Sequence, residues 1–245
     1  MLIPPELSET LRNSGHVCVL TGSGVSAESG VPTFRDAQTG LWEEFNPLEL
    51  ATPDAFLRDP ELVWRWYRWR RELVAAAKPN PAHFALSKLA SLLPRTTLIT
   101  QNVDGLHQQA GSRDVIEFHG NLFNDRCFVE GITVDDADHS EAVPQCSGCG
   151  AHLRPGVVWF GEAIPERALA AASLAVADCD VFLSIGTSST VWPAAGFAES
   201  AAAAGATVVE VNPDATEITA SVDYCLQGKA GRVLTDLINS LAPAK

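Results

Sequence analysis

The stretch HVCVLTGSGVSAESG, residues 16–30, decides how the rest of the chain is read. Residues 16–20 form a short apolar, β-branched run of the kind that makes a buried strand. The run opens at once into a glycine-rich turn. Gly22, Gly24 and Ala27 satisfy the spacing in which a strand passes through glycines to a helix start, where backbone N–H groups can approach a pyrophosphate. On its own the pattern has two readings, a phosphate cradle or an ordinary turn after a strand. A dehydrogenase built this way also requires a second strand ending in an acid about 20 residues further on. Glu43 and Glu44 stand near that distance, but residues 37–50 carry no strand pattern.

Working outward, similar runs occur at residues 96–100, 114–118, 181–185 and 207–211, with helical stretches between them. That alternation predicts an α/β fold, a Rossmann-like doubly wound parallel sheet with helices on both faces. Two segments break the rhythm. Residues 36–78 hold Pro47, Pro53, Pro60 and a tryptophan-rich helix, and residues 121–155 hold three cysteines and an acidic turn around Asp135 and Asp136. The expected organisation is therefore a Rossmann-like domain from residues 1–35, 79–120 and 156–245. A smaller domain is expected from a helical insertion, 36–78, and a zinc-ribbon-like insertion, 121–155.

The chain's 245 residues and 46% hydrophobic content suffice for one sizeable core. Its formal charge of -13 argues against nucleic acid and anionic membrane as partners, since both attract clustered Lys and Arg. The opening MLIPPELSET has prolines and glutamates where a signal peptide needs positive charge and an apolar run, so a cytoplasmic protein is expected. The apolar region 168–185 is cut by Asp178 and Asp180 and does not read as a membrane span. Cys18, Cys179 and Cys225 lie in or beside apolar runs and read as buried free thiols.

In open parallel sheets, ligands sit beyond the carboxyl ends of the strands. The residues that follow the runs here are polar. They are Gln101, Asn102, Asp104 and His107; His119 and Gly120; Gly186, Thr187, Ser188 and Ser189; and Asn212, Pro213 and Asp214. Each cluster alone is an ordinary turn. Together on one rim they describe a site for a large polar ligand, with a titratable imidazole inside it.

With these residues in hand, the chain resembles the sirtuins, NAD-dependent protein-lysine deacylases. The resemblance rests on GSGVSAESGVPTFR (22–35), QNVDGLH (101–107), FHG (118–120), VVWFGE (157–162), GTSSTVWP (186–193) and VNPD (211–214), in family order over nearly the whole chain. Ser23 departs from the alanine usual in that glycine loop. The resemblance implies that Gly22, Ser23, Gly24, Val25, Ser26 and Ser188 hold the NAD pyrophosphate, with Asn212 on the adenine ribose, Ala230 beside the adenine, and Gly186 and Thr187 also among the cofactor-binding residues. It places Gln101, Asn102 and Asp104 around the nicotinamide ribose and carboxamide, with Phe34 and Arg35 shaping that pocket. His119 is the implied general base, with Asn102 and Asp104 in the same catalytic group. Val157, Trp159, Phe160 and Gly161 are implied to receive the acylated-lysine protein substrate. The implied products are free lysine, nicotinamide and an O-acyl-ADP-ribose. His107 reads as structural.

Cys146 and Cys149 have the spacing of one zinc-ribbon knuckle, and Cys127 could open the other. The family pattern has four cysteines, and here Glu130 stands in the fourth position. Three thiolates with Glu130, His139 or His152 would still close a tetrahedral zinc site; the alternative is a module held by packing alone. The resemblance implies a structural role for the metal.

LVWRWYRWRRELV, residues 62–74, concentrates four of the 17 basic residues and three of the six tryptophans in this acidic chain. Trp64, Trp66 and Trp69 read as packing, and Arg65, Arg68 and Arg71 as facing water. Tyr67 and Arg70 share one helix face. Sirtuins that remove succinyl and malonyl groups carry a Tyr-x-x-Arg pair here, and an alanine sixteen positions before the tyrosine, which is Ala51. The resemblance thus extends to a sirtuin-5-like subgroup, in which a planar guanidinium and a hydroxyl receive the carboxylate of an acidic acyl-lysine. The alternatives are a plain deacetylase or an ADP-ribosyltransferase. From other classes come a nicotinamide dehydrogenase and a nucleotide-binding module without turnover.

Overall fold

The structure is a computed structural model that describes residues 2–32 and 46–241. Strand β1 (Val17–Thr21) is buried along its whole length. A strand covered on both faces can be continuously apolar, which is why VCVLT shows no alternation. Val17 and Val19 pack into one core with helices α1 (Pro5–Asn13), α5 (Pro81–Leu92) and α9 (Ala230–Leu241). Cys18 and Leu20 face the opposite layer, with α7 (Glu166–Ala177) and α8 (Phe197–Ala203). The two-residue period of a strand thus splits one sequence run between two helical layers.

The main sheet has the order β3-β2-β1-β7-β8-β9, with β2 at Thr96–Thr100, β3 at Ile116–Glu117, β7 at Val181–Ile185, β8 at Thr207–Asn212 and β9 at Tyr224–Gln227. All neighbours in it pair in parallel. Chain order reverses direction between β1 and β7, and the loops after the strands gather on one rim.

Two strands differ from expectation. β3 is only two residues long, because Asp114 lies in the left-handed region at φ 52°, where extended pairing cannot start. β9 is a short edge strand that the apolar pattern did not reveal, with Leu226 buried and Cys225 exposed. The expectation of a buried Cys225 is therefore corrected, while Cys18 and Cys179 are buried.

A second, antiparallel sheet has the order β5-β4-β6, from β4 (Gly120–Cys127), β5 (Thr133–Val134) and β6 (Leu153–Val157). It shares a core with α3 (Pro53–Arg58) and α4 (Pro60–Ala76), which follow the short helix α2 (Pro47–Leu50). α4 starts where the Asp59 carboxylate accepts from Leu62 N at 2.9 Å with Pro60 in the first turn. Trp64 and Trp66 are fully buried, and the Trp64 indole donates to Leu153 O at 2.8 Å.

Arg71 corrects the expectation of a solvated face. It donates to Leu122 O at 2.7 Å and Asn124 O at 3.1 Å and pairs with the buried Asp125 at 2.9 Å. Arg68 sits over the Trp64 ring and donates to Glu141 O, whereas Arg65 is exposed. Among the described residues, no helix is long and apolar enough to cross a membrane.

Candidate active site

The rim is organised at the switch point by two interlocked loops. Gly24 N donates to Gly186 O at 2.8 Å, and Gly22 N to Ile185 O at 3.0 Å. A Cβ on Gly24 would stand 2.8 Å from the Gly186 backbone, so this approach requires glycine. The loop after β1 continues through a 3-10 turn at Ser23–Val25, with Ser23 exposed and Ser26 buried.

Ser26 is the hub of a polar network. Its hydroxyl donates to the buried Asp104 carboxylate at 2.7 Å and accepts from Asn102 Nδ2 at 3.1 Å. Asp104 also takes Leu106 N at 2.9 Å, at the start of α6 (Leu106–Gln109). Gln101 reaches across β1 to Thr187 Oγ1 at 3.0 Å. His119 follows β3, and its Nδ1 lies 3.0 Å from Gln101 O. A carbonyl only accepts, so Nδ1 carries the proton and Nε2 of the neutral ring presents a lone pair. Burial pushes the His119 pKa below its ordinary value, with partial compensation from the Gln101 hydrogen bond.

His107 is buried against Thr21 Oγ1 at 2.9 Å, in keeping with a structural role. Burial, with His83 as neighbour, lowers its pKa to about 3. His83 is a network member that sequence reasoning missed. It caps α5 with Asn80 and lies 3.4 Å from Ser26 Oγ. The helix start was readable in Asn80-Pro81, but the reach to Ser26 spans 57 residues and has no local signature.

On the other side of the switch point, Asn212 Nδ2 donates to Thr187 O at 2.8 Å, and Ala230 is the buried first residue of α9. A cavity of about 400 Å³ opens on this side, lined by Ser188, Thr190, Ala215, Thr216 and Glu217 from the loops after β7 and β8. Only Ser188 of these was a candidate from sequence.

The FGE loop after β6 joins the two sheets. Val158 N donates to His119 O at 2.8 Å, and Phe160 N to Ala51 O at 2.9 Å. These bonds tie the loop that carries Val157, Trp159, Phe160 and Gly161 to the His119 backbone at one end and to Ala51 at the other. Trp159 is buried, with the Arg154 guanidinium 3.4 Å from its ring centroid, and Phe160 is 43% exposed. Tyr67 is buried against Trp159, and its hydroxyl accepts the Trp159 indole N–H at 2.8 Å. Arg70 is half-buried, with its guanidinium carbon 5.7 Å from the Tyr67 ring centroid and 5.0 Å from that of Trp66. Burial lowers the Arg70 pKa, opposed by Tyr67 and by the Asp104 carboxylate. Burial likewise raises the Tyr67 pKa, with Arg70 the largest opposing influence. Phe34, Arg35, Glu43 and Glu44 lie outside the described residues.

The fold that carries this rim is shared with known proteins. The model described as the Sir2 family matches residues 22–193. The chain belongs to the Sir2 family. A relative from Methylococcus capsulatus named NAD-dependent protein deacylase is 50% identical over 96% of this chain and 96% of its own. The NAD-dependent protein deacylase 1 of Pseudomonas aeruginosa is 48% identical, over 96% of this chain and 98% of its own. Among solved structures, a Sir2 homolog–NAD complex superposes with a TM-score of 0.92 at 46% identity, covering 98% and 94% of the two chains. A Sir2–p53 peptide–NAD+ complex gives 0.84 at 31% identity, covering 96% of each chain.

In this Sir2 chain, Cys127, Glu130, Cys146 and Cys149 converge, and their four donor atoms lie within 4.8 Å of one another. The Cys127 and Cys149 sulfurs are 3.5 Å apart, and the Cys146 sulfur is 3.8 Å from Glu130 Oε2. Zinc–sulfur bonds of about 2.3 Å at tetrahedral angles need donor separations of roughly 3.8 Å, so three thiolates and one carboxylate fit a closed zinc site. Of the alternative fourth ligands, His139 bonds Asp125 at 2.8 Å and His152 packs edge-on to Phe56, and neither joins the cluster.

Proposed function

We propose that this Sir2-family chain is an NAD-dependent protein-lysine deacylase that removes succinyl, malonyl or related acidic acyl groups and, as a second activity, acetyl. The names of its relatives support the reaction. The acidic-acyl preference rests on one observation, the placement of Tyr67 against Trp159 with Arg70 beside the Tyr67 ring, in a loop setting where Phe160 N bonds Ala51 O and Val158 N bonds His119 O. A carboxylate leaving water needs a cation and a hydroxyl in fixed positions, and α4 carries both, Tyr67 buried and Arg70 half-buried beside it.

NAD, as co-substrate, supplies the ADP-ribosyl group that accepts the acyl chain and releases nicotinamide. The chain's own residues do the rest. The glycine loop and Ser188 flank the place for the pyrophosphate at the switch point. Asn102 and Asp104, fixed through Ser26, bound the pocket for the nicotinamide end. His119 Nε2 takes a proton from a ribose hydroxyl, which its lowered pKa favours at neutral pH. The three cysteines and Glu130 would hold a structural zinc that ties the β4–β5 turn to the knuckle before β6.

The test is nicotinamide release from NAD with matched acetyl- and succinyl-lysine peptides. Peptide-dependent release that is faster with succinyl-lysine is expected. NADH absorbance would instead indicate a dehydrogenase, and preference for acetyl-lysine would leave a plain deacetylase.

A further inference from the structure

Glu210 lies in the middle of β8, opposite Ser184 of β7 and Cys225 of β9, and is 1% exposed. Its neighbours Val209 and Val211 enter the core beside α9, so the carboxylate points to the other face of the sheet. There it is surrounded by donors. The Thr216 hydroxyl donates to Oε1, the Thr219 hydroxyl to Oε2 at 2.6 Å, and the Cys225 thiol lies 3.8 Å from Oε2. The threonines also brace each other's turn, because Thr216 N donates to Thr219 Oγ1 at 2.8 Å and Ile218 N to Thr216 Oγ1 at 3.3 Å. A buried acceptor-only group meeting several donors is a strong local constraint, since any donor released from it loses its partner. The excursion between β8 and β9 is thus stitched to the sheet beneath it.

That excursion is one wall of the 400 Å³ cavity. Ala215, Thr216 and Glu217 face Ser188 and Thr190 from the loop after β7. The cavity lies on the β7–β8 side of the switch point, and His119 lies on the β2–β3 side, with the glycine loop of β1 between them. A dinucleotide with its pyrophosphate at the glycine loop and its reactive end at His119 must send its other nucleoside into this cavity.

We infer that Glu210 is a positioning residue for the adenosine half of NAD: it touches no ligand, and by anchoring Thr216 and Thr219 it sets the cavity wall on which adenosine affinity depends. This inference rests on the NAD-dependent reading above. Glu210→Gln keeps the shape but replaces one acceptor oxygen with a donor. Thr219→Val removes one anchoring hydroxyl at a residue outside the cavity lining, and Thr219→Ser keeps it.

Calorimetry with ADP-ribose as probe, together with steady-state kinetics, reads the effect. Glu210→Gln and Thr219→Val should each raise the ADP-ribose Kd and the KM for NAD roughly 3- to 30-fold, the effect of about one or two hydrogen bonds. At saturating NAD, kcat and the KM for acylated peptide should stay within about two-fold, and Thr219→Ser should bind like the parent protein. If both variants lower Tm while ADP-ribose affinity is unchanged, Glu210 merely stabilises the fold and the inference is overturned. If Glu210→Gln does not fold, Thr219→Val alone decides between these results. Failure of the unsubstituted protein to bind ADP-ribose would instead overturn the NAD-dependent reading itself.

Discussion

The Tyr67 hydroxyl accepts the indole N–H of Trp159 across 92 residues of sequence, at 2.8 Å, with both side chains buried. With a lone pair occupied by that bond, the phenolic proton is the part of the group available for donation to an acyl carboxylate. Replacing Tyr67 therefore also leaves the Trp159 N–H buried without an acceptor. Tyr67→Phe should lower the urea-unfolding stability by about 1 to 3 kcal/mol, the cost of a buried unsatisfied donor. Unchanged stability would mean that Trp159 finds another acceptor.

Arg70→Met is the cleaner test of acyl selectivity, because it keeps the apolar stem and removes the cation. Truncating one half of a buried charge pair costs about 2 to 5 kcal/mol. At about 1.4 kcal/mol per decade, kcat/KM for succinyl-lysine should fall tens- to thousands-fold. Acetyl-lysine turnover should stay within a few-fold. Equal losses for both substrates would show that Arg70 acts by holding α4 and Asp104 in register.

His119→Ala should reduce deacylation by about two to four orders of magnitude while ADP-ribose still binds, the usual contribution of a positioned base. In the parent enzyme, burial disfavours the imidazolium, so the unprotonated base persists to lower pH than in a free histidine. The acidic limb of the kcat/KM profile should accordingly have its midpoint below the ordinary 6.5. A midpoint above that value would assign the limb to another group.

His107 makes stability depend on pH. Its folded pKa of about 3 lies below the ordinary 6.5, so the unfolded chain binds the proton that the folded chain refuses. Its contribution is present above pH 6.5 and is lost as pH falls from there towards 3. The urea-derived stability difference between the parent protein and His107→Gln should shrink by up to about 1.4 kcal/mol per pH unit across that window. A difference independent of pH would mean that the imidazole does not titrate on unfolding.

Metal analysis after purification without chelator should find about one zinc per chain, and Cys146→Ala should lose both the metal and several degrees of Tm. Glu130→Cys should retain zinc at higher chelator concentration, because thiolate is the softer and stronger zinc ligand. Metal-free protein with unchanged Tm would leave the module held by packing alone.

Strands β1, β2 and β7 were legible because a strand buried in a parallel sheet is a local apolar run bounded by turn residues. The rim residues were legible for the same reason, as whatever follows such a run. β9 was not, since an edge strand has one wet face and its YCLQ carries too little hydrophobic signal. Arg71 misled because helical spacing assigns a residue to a face without saying what covers that face, and Asp125 arrives from 54 residues away.

Local spacing thus carried the glycine loop and the cysteine knuckle, each written within a few consecutive residues, while the fold class came from the alternation of such runs along the chain and the role of His119 from the resemblance. Which side chains meet was settled by packing. Ser26 finds Asp104, Glu130 completes the three cysteines, Tyr67 accepts from Trp159, and Glu210 gathers Thr216, Thr219 and Cys225 beneath a cavity wall. Several of these partners are brought together only when separate elements close around a common core. Their pairing follows from shape and from the cost of leaving a buried polar group unmatched, neither of which has a period in the sequence.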